Sequence, residues 1–260
     1  MKIHTIVPAF LLASSLCASA GTSTAMTPIT QAAPTEERDD WSFELAPYVW
    51  IASLEADSSL PWDGPGSDPS VQRFDTKITG AFMIEALARY RAVGILVDFN
   101  WLQLDTETLR QGILYSGADL ETDYLYTTAA LTYLLPLEGD FHAELMAGAR
   151  LWSISADFEL KPGLLAGRGY SSNETWVSPL AGAKLSYDIN QDWQLFFQGT
   201  AGGFSGSSAQ WDLCGGVNYQ FNNWCAATVG YRYLSEEYEN GDFNFDATAQ
   251  GAQVGLRFRF

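Results

Sequence analysis

The chain lacks any run near the ~20 consecutive apolar residues that a membrane-spanning helix needs, although 47% of its 260 residues are hydrophobic. It is also short of the side chains that carry most chemistry, with 3 cysteines and 2 histidines. Basic residues are scarce: 14 Lys and Arg stand against 31 Asp and Glu, a net charge of −17. That balance excludes a protein that grips nucleic-acid phosphates. No Gly-rich phosphate loop, no Ser elbow and no EF-hand spacing is present. No catalytic, cofactor or metal site is therefore expected. Lack of aromatics is not among the deficits: they make up 14% of the chain and include 9 Trp, so this is not a disordered acidic polymer.

The N-terminus reads as a targeting segment. Met1-Lys2 is a short basic start, Ile6 to Leu16 an apolar stretch, and Ala18-Ser19-Ala20 a small-x-small cleavage site. Residues 1–20 are expected to be a secretory signal peptide. Cys17 follows Leu16, where a lipoprotein signal needs a small residue. Residues 21–40, rich in Thr, Ala and Pro and then charged, read as a flexible periplasmic leader. Residues 41–260 are the expected folded domain. After cleavage the chain keeps 13 basic and 31 acidic residues, a net charge of −18.

The last ten residues alternate strictly. Ala252, Val254, Leu256, Phe258 and Phe260 share one face, and Gln253, Arg257 and Arg259 share the other, the pattern of a strand with one apolar and one polar side. The same period-2 pattern predicts ten strands, at roughly 41–54, 79–91, 93–106, 119–135, 140–159, 174–188, 192–205, 209–221, 224–237 and 247–260. Short connections at Arg91-Ala92, 136–139, 189–191 and Asn222-Asn223 alternate with longer ones at 55–78, 107–118, 160–173 and 238–246, with 206–208 a short exception. This is the signature of an all-β, antiparallel, up-and-down transmembrane barrel with short periplasmic turns and longer outer loops. An even strand number places both termini in the periplasm.

The outward set is apolar and uncharged. It includes Phe43, Val49, Phe82, Ile95, Val97, Leu131, Leu145, Val177, Leu195, Trp211, Val229 and Tyr231. A soluble sandwich would leave that face polar, whereas lipid contact forbids charge there. Tyr90, Phe141, Tyr187, Trp193, Phe221 and Phe260 fall near the turn ends and are expected to form an interfacial girdle. Pro47 and Pro179 each lack the N–H of a continuous ladder, so a bulge or break is expected at each. Cys214 and Cys225, placed roughly 20 Å apart by the hairpin register, are too distant for a disulfide.

The inward face carries a matched set of charges: Glu44, Glu85, Arg89, Asp98, Glu144, Arg150, Lys184, Asp212, Arg232 and Arg257. Equal numbers of acids and bases point to an internal polar network, with a charge-lined permeation path as the alternative. Higher in the lumen, Trp50, Tyr124, Tyr126, Trp152 and Trp176, with Phe204, form an aromatic mouth that either plugs the barrel or lines a site for an apolar solute. The first and last outer loops are acidic, through Glu55, Asp57, Asp63, Asp68 and Asp75 and through Glu236, Glu237, Glu239, Asp242 and Asp246. Weak divalent-cation binding shared with lipopolysaccharide is the expected partner chemistry there.

The chain resembles the small bacterial outer-membrane β-barrel superfamily that includes OmpA-type and OmpW-type proteins. The resemblance rests on Val254-Gly255-Leu256-Arg257-Phe258-Arg259-Phe260, Gly230-Tyr231-Arg232-Tyr233-Leu234 and Leu145-Met146-Ala147-Gly148-Ala149-Arg150-Leu151-Trp152. It implies outer-membrane location, with Phe258 and Phe260 acting as the signal read by the barrel-assembly machinery. Those relatives have eight strands, which the hairpin at 192–221 would restore if misread. Barrel enzymes use His with Asp or Ser near the outer rim, and the one His after cleavage, His142, falls at the opposite end. A structural or surface-interaction barrel with a largely packed polar lumen is the first functional expectation. A narrow channel for small, apolar solutes is the second.

Overall fold

The computed structural model describes residues 5–6, 40–59, 74–108, 115–203, 208–240 and 243–260, with side chains described outside 5–6, 54–79, 106–115 and 240–244. The expected signal peptide and leader lie outside the described residues apart from Thr5–Ile6 and Asp40. Phe204, Asp63, Asp68 and Asp242 lie outside them as well.

Ten antiparallel strands form one closed barrel: β1 (Trp41–Ser59), β2 (Phe74–Tyr90), β3 (Val93–Thr108), β4 (Tyr115–Leu134), β5 (Phe141–Pro162), β6 (Arg168–Asp188), β7 (Trp193–Gly202), β8 (Ser208–Asn222), β9 (Cys225–Asn240) and β10 (Phe243–Arg259). Each strand pairs with its sequence neighbours, and β10 returns to pair with β1. The count is ten, not eight, and the 192–221 hairpin is real, as β7 and β8.

Several strands run further than the alternation indicates. β9 and β10 stay paired out to Asn240 and Phe243, inside the expected 238–246 loop, and β5 and β6 stay paired out to Leu160 and Arg168. Apolar alternation marks only the part of a strand that faces lipid. Beyond the bilayer a ladder continues without it. At ~3.3 Å per residue and a ~40° tilt, the 22 residues of β5 stand far taller than a ~25 Å apolar band.

The outward face is as expected. Val49, Ile95, Leu131, Val177, Val229 and Tyr231 are all more than half exposed. Tyr90, Phe141, Tyr187, Trp193, Phe221 and Phe260 ring the short-turn end, joined by Trp41 and Trp224. A second ring, with Phe82, Trp101 and Trp211, lies higher up the strands, roughly one apolar-band height above the first. Two aromatic belts around an apolar wall are the exterior of a barrel that spans a bilayer.

Pro47 interrupts a ladder, whereas Pro179 causes no bulge and sits at the end of one. β1 pairs with β2 only from Trp41↔Tyr90 to Pro47↔Ile84. On its other side, β1 pairs with β10 along nearly its whole length, skipping only Ala46 and Pro47. Above Pro47 the edge of β1 facing β2 has no ladder partner among the described residues except Thr5–Ile6, which pairs with Leu54 and Ser53. Pro179 keeps its place in the β5–β6 ladder. The β6–β7 ladder, however, ends beside it at Leu180↔Gly202, where β7 stops. The Gly203 N–H then donates to the Pro179 carbonyl, with Gly203 at φ 69°. Cys214 and Cys225 form no disulfide, and Cys214 lies opposite Arg232.

Candidate functional site

The inward-facing parity of six strands brings polar side chains to one level of the lumen. Asp98 on β3, Arg150 on β5, Asp212 on β8 and Arg232 on β9 are all buried. Arg232 Nη2 donates to Asp98 Oδ2 at 3.0 Å and to Asp212 Oδ2 at 2.7 Å, and its Nε donates to Asp212 Oδ1 at 2.9 Å. Arg150 Nη2 donates to the same Asp212 Oδ2 at 2.6 Å, and its Nε donates to Thr128 Oγ1 on β4. Tyr48 on β1 accepts from Arg232 at 2.8 Å and lies 2.7 Å from Asp98 Oδ1 and 2.8 Å from the Asn100 amide. Side chains from β1, β3, β4, β5, β8 and β9 thus meet in one layer that crosses the barrel. Charge-assisted, partly bidentate bonds of this kind are the strong class. Two guanidinium groups sharing one carboxylate hold three strands in register.

Below this layer, towards the short-turn end, the lumen is wider. A cavity of about 400 Å³ opens there, lined by Glu44, Arg89, Glu144, Lys184, Asp188, Arg257 and Arg259 among others. Its charges are paired with one another along its sides. Arg89 bonds Glu144 at 2.5 Å, Arg257 meets Glu44 at 3.0 Å and Glu85 at 3.9 Å, and Arg259 bonds Glu44 at 3.1 Å. Lys184 lies opposite Glu144 in the β5–β6 ladder. The packed lumen expected from sequence is therefore confined to the middle of the barrel. The structure places the ten predicted lumen residues in two groups: Asp98, Arg150, Asp212 and Arg232 in the crossing layer, and Glu44, Arg89, Glu144, Lys184 and Arg257 around the lower cavity, with Glu85 between the two.

Above the layer the lumen turns apolar. Trp50, Tyr126, Trp152 and Trp176 are buried and Tyr124 half-buried, as one cluster with Phe245, Leu234 and Tyr238. Trp152 stacks on Trp176 at 5.8 Å, and Trp176 stacks on Tyr238 at 4.5 Å. Arg232 lies 5.3 Å over the Trp50 ring and Arg150 the same distance over Tyr126, so the aromatic cluster caps the cations of the layer. A cavity of about 60 Å³ remains, walled by Trp50, Met83, Leu102, Tyr124, Tyr126, Leu234 and Phe245 with Asn100.

Several lumen residues escaped the sequence reading. Tyr48 and Asn100 share parity with Trp50 and Asp98, so alternation alone could have found them. Glu236 is a correction. Grouped by sequence with the acidic outer loop, it is 1% exposed and accepts from Trp176 Nε1 at 3.0 Å and Ser178 Oγ at 3.3 Å. Its neighbour Glu237 is exposed, as are Glu239 and Asp246. Adjacent acids look alike in a sequence, but a strand sends them to opposite faces. Phe245 was likewise placed in a loop and is 2% exposed.

At the rims, Phe258 stacks on Trp224 at 6.1 Å, and Phe260 exchanges backbone hydrogen bonds with Phe43. His142 lies at the short-turn end, its Nε2 3.0 Å from Asp188 Oδ2. Asp40 and Arg91 pair at 2.8 Å beside the first turn, and the guanidinium holds the Asp40 carboxyl below its ordinary range. At the opposite rim Asp105, Asp119, Glu121, Asp157 and Glu159 surround an open acidic depression. Lys161 pairs with Asp119 there at 2.8 Å. Among the described residues no group of His, Cys, Asp and Glu is arranged to hold a metal ion.

No protein-family model matches the chain, and no curated protein does. Solved structures align over 85% of it. The outer-membrane protease OmpT from Escherichia coli is 10% identical, covered over 93% of its chain, with a TM-score of 0.42. The outer-membrane protein OprG from Pseudomonas aeruginosa is 11% identical, covered over 95%, with a TM-score of 0.33. The β domain of the Bordetella autotransporter BrkA is 12% identical, covered over 98%, with a TM-score of 0.45. On its own architecture of ten closed antiparallel strands, a belted apolar wall and a polar lumen, the chain is a transmembrane β-barrel.

Proposed function

We propose that this protein is a non-conducting outer-membrane barrel with a structural or surface-interaction role, both termini on the periplasmic side and the acidic loop rim outside. The observation that carries this reading is the Arg150–Asp212–Arg232–Asp98 layer, bonded across the lumen from six strands. A water-filled path would have to break several charge-assisted bonds among buried groups. The lower cavity then opens only towards the periplasm. The exposed carboxylates of the loop rim suit divalent ions shared with lipopolysaccharide, and the terminal strand suits recognition by the barrel-assembly machinery. Among the described residues His142 meets Asp188 and no nucleophile, which favours a role without catalysis.

Planar-bilayer recording on the refolded barrel tests this. Wild-type protein shown to be folded and inserted is expected to give no discrete current steps. Arg232→Ala, which empties the centre of the layer, is expected to give small ones. Steps from the wild type would overturn the closed-lumen reading.

A further inference from the structure

The aromatic chamber above the ionic layer holds polar groups that the layer leaves unused. Trp50, Asn100 and Tyr126 line it and are 9%, 2% and 7% exposed. The Trp50 indole N–H, the Tyr126 hydroxyl and one end of the Asn100 amide have no hydrogen-bond partner among the described residues. The Tyr48 hydroxyl has a single proton for two acceptors. Whichever end of the Asn100 amide faces it, the other end stays unpaired. Buried polar groups in folded proteins are nearly all paired, so three around one cavity call for an occupant.

The chemistry of that occupant can be bounded. The remaining wall is mainly apolar, from Met83, Leu102, Leu234 and Phe245 with the rings of Tyr124 and Trp152, which favours an apolar body over a water cluster needing several polar partners. The two arginines beneath are outnumbered by Asp98, Asp212 and the nearby Glu236, so no surplus positive charge awaits an anion. No carboxylate is among the described residues lining the wall to neutralise a cation, and the Trp50 N–H can only donate. A neutral molecule with an acceptor oxygen satisfies all three conditions. The cavity of about 60 Å³ is smaller than the ~150 Å³ that holds a benzene ring. Met83, a flexible side chain, stands on β2 across the unladdered gap from Trp50 on β1, so this wall can yield.

We propose that this chamber is a binding site for a small, neutral, apolar molecule bearing one hydrogen-bond-accepting oxygen, such as a ketone or ester, held by the Trp50 N–H and the Tyr126 O–H. The site goes beyond the closed-lumen reading and is independent of whether the layer conducts.

The test uses the whole barrel, ¹⁵N-labelled at tryptophan and refolded in lipid nanodiscs, with the Trp50 indole signal assigned by its loss in Trp50→Phe. The protein is titrated with cyclopentanone and, separately, with cyclopentane. Cyclopentanone is expected to move the Trp50 indole proton downfield along a saturable curve. Tyr126→Phe is expected to weaken that affinity about three- to tenfold, the net worth of one hydrogen bond. Leu234→Trp, which fills the chamber and leaves the donors in place, is expected to abolish the shift in protein that still migrates as a folded barrel. No saturable shift, equal affinity for cyclopentane, a ketone response untouched by Tyr126→Phe, or one that survives Leu234→Trp would each overturn the proposal.

Discussion

Asp212 accepts from two arginines at once, and this asymmetry sets what single substitutions do. Arg232→Met leaves Asp98 without its cation but keeps Arg150 on Asp212. Removing one partner of a buried ion pair costs about 3–5 kcal/mol, and urea unfolding in detergent micelles is expected to show a loss of that order. Asp212→Asn leaves two guanidinium groups facing a neutral amide and is expected to cost at least as much. A result near zero for both would mean the layer is solvated rather than bonded. At the rim the scale is different. Asp40 is exposed, and its carboxyl is lowered by the hydrogen bond and charge of Arg91. A depressed carboxylate favours the folded state above its ordinary value of 3.8. The contribution disappears as pH falls through the lower folded-state value. Arg91→Ala is expected to return the Asp40 titration, followed by NMR, to the ordinary range with little change in stability.

At the scale of the strand, two features depend on what a backbone can do without a side chain or an N–H. A Cβ on Gly182 would sit 2.1 Å from the Gly199 carbonyl oxygen and 2.8 Å from Thr200 Cα across the β6–β7 ladder. The two backbones approach closely there, a place where glycine is needed. Gly182→Val is expected to reduce the yield of the folded form sharply, read as loss of the compact, heat-sensitive band on a gel. Pro47 does the converse by withholding a donor. Hydrogen exchange on residues 48–52 is expected to split by direction: amides of β1 aimed at β10 protected, those aimed at β2 fast. Uniform protection would show that the β1–β2 ladder extends above Pro47.

For the whole molecule, the surrounding medium decides what exposure means. Val229 is 51% exposed on the apolar wall, and Leu164 is 76% exposed at the turn beyond β5. Val229→Arg is expected to cost about 2–4 kcal/mol in a bilayer, and Leu164→Arg almost nothing, by unfolding titration in vesicles. The wall was legible in the sequence because lipid enforces alternation residue by residue. Arg150, Asp212 and Arg232 were legible as inward residues for the same reason. Which acid meets which base was not, because strand tilt and stagger set heights across the lumen, and a linear pattern carries neither. Glu236 and Phe245 were missed where β9 and β10 rise above the membrane and apolar alternation is no longer required.

The unequal edges of β1 also bear on the order of assembly. Its neighbour in sequence holds it only from Trp41 to Pro47, whereas β10, some two hundred residues later, holds it from Ser59 down to Glu44. Contacts between such distant segments bring their reward only after a long loop has closed. The first strand made is thus among the last to find its place, waiting at the open edge until the end of the chain arrives.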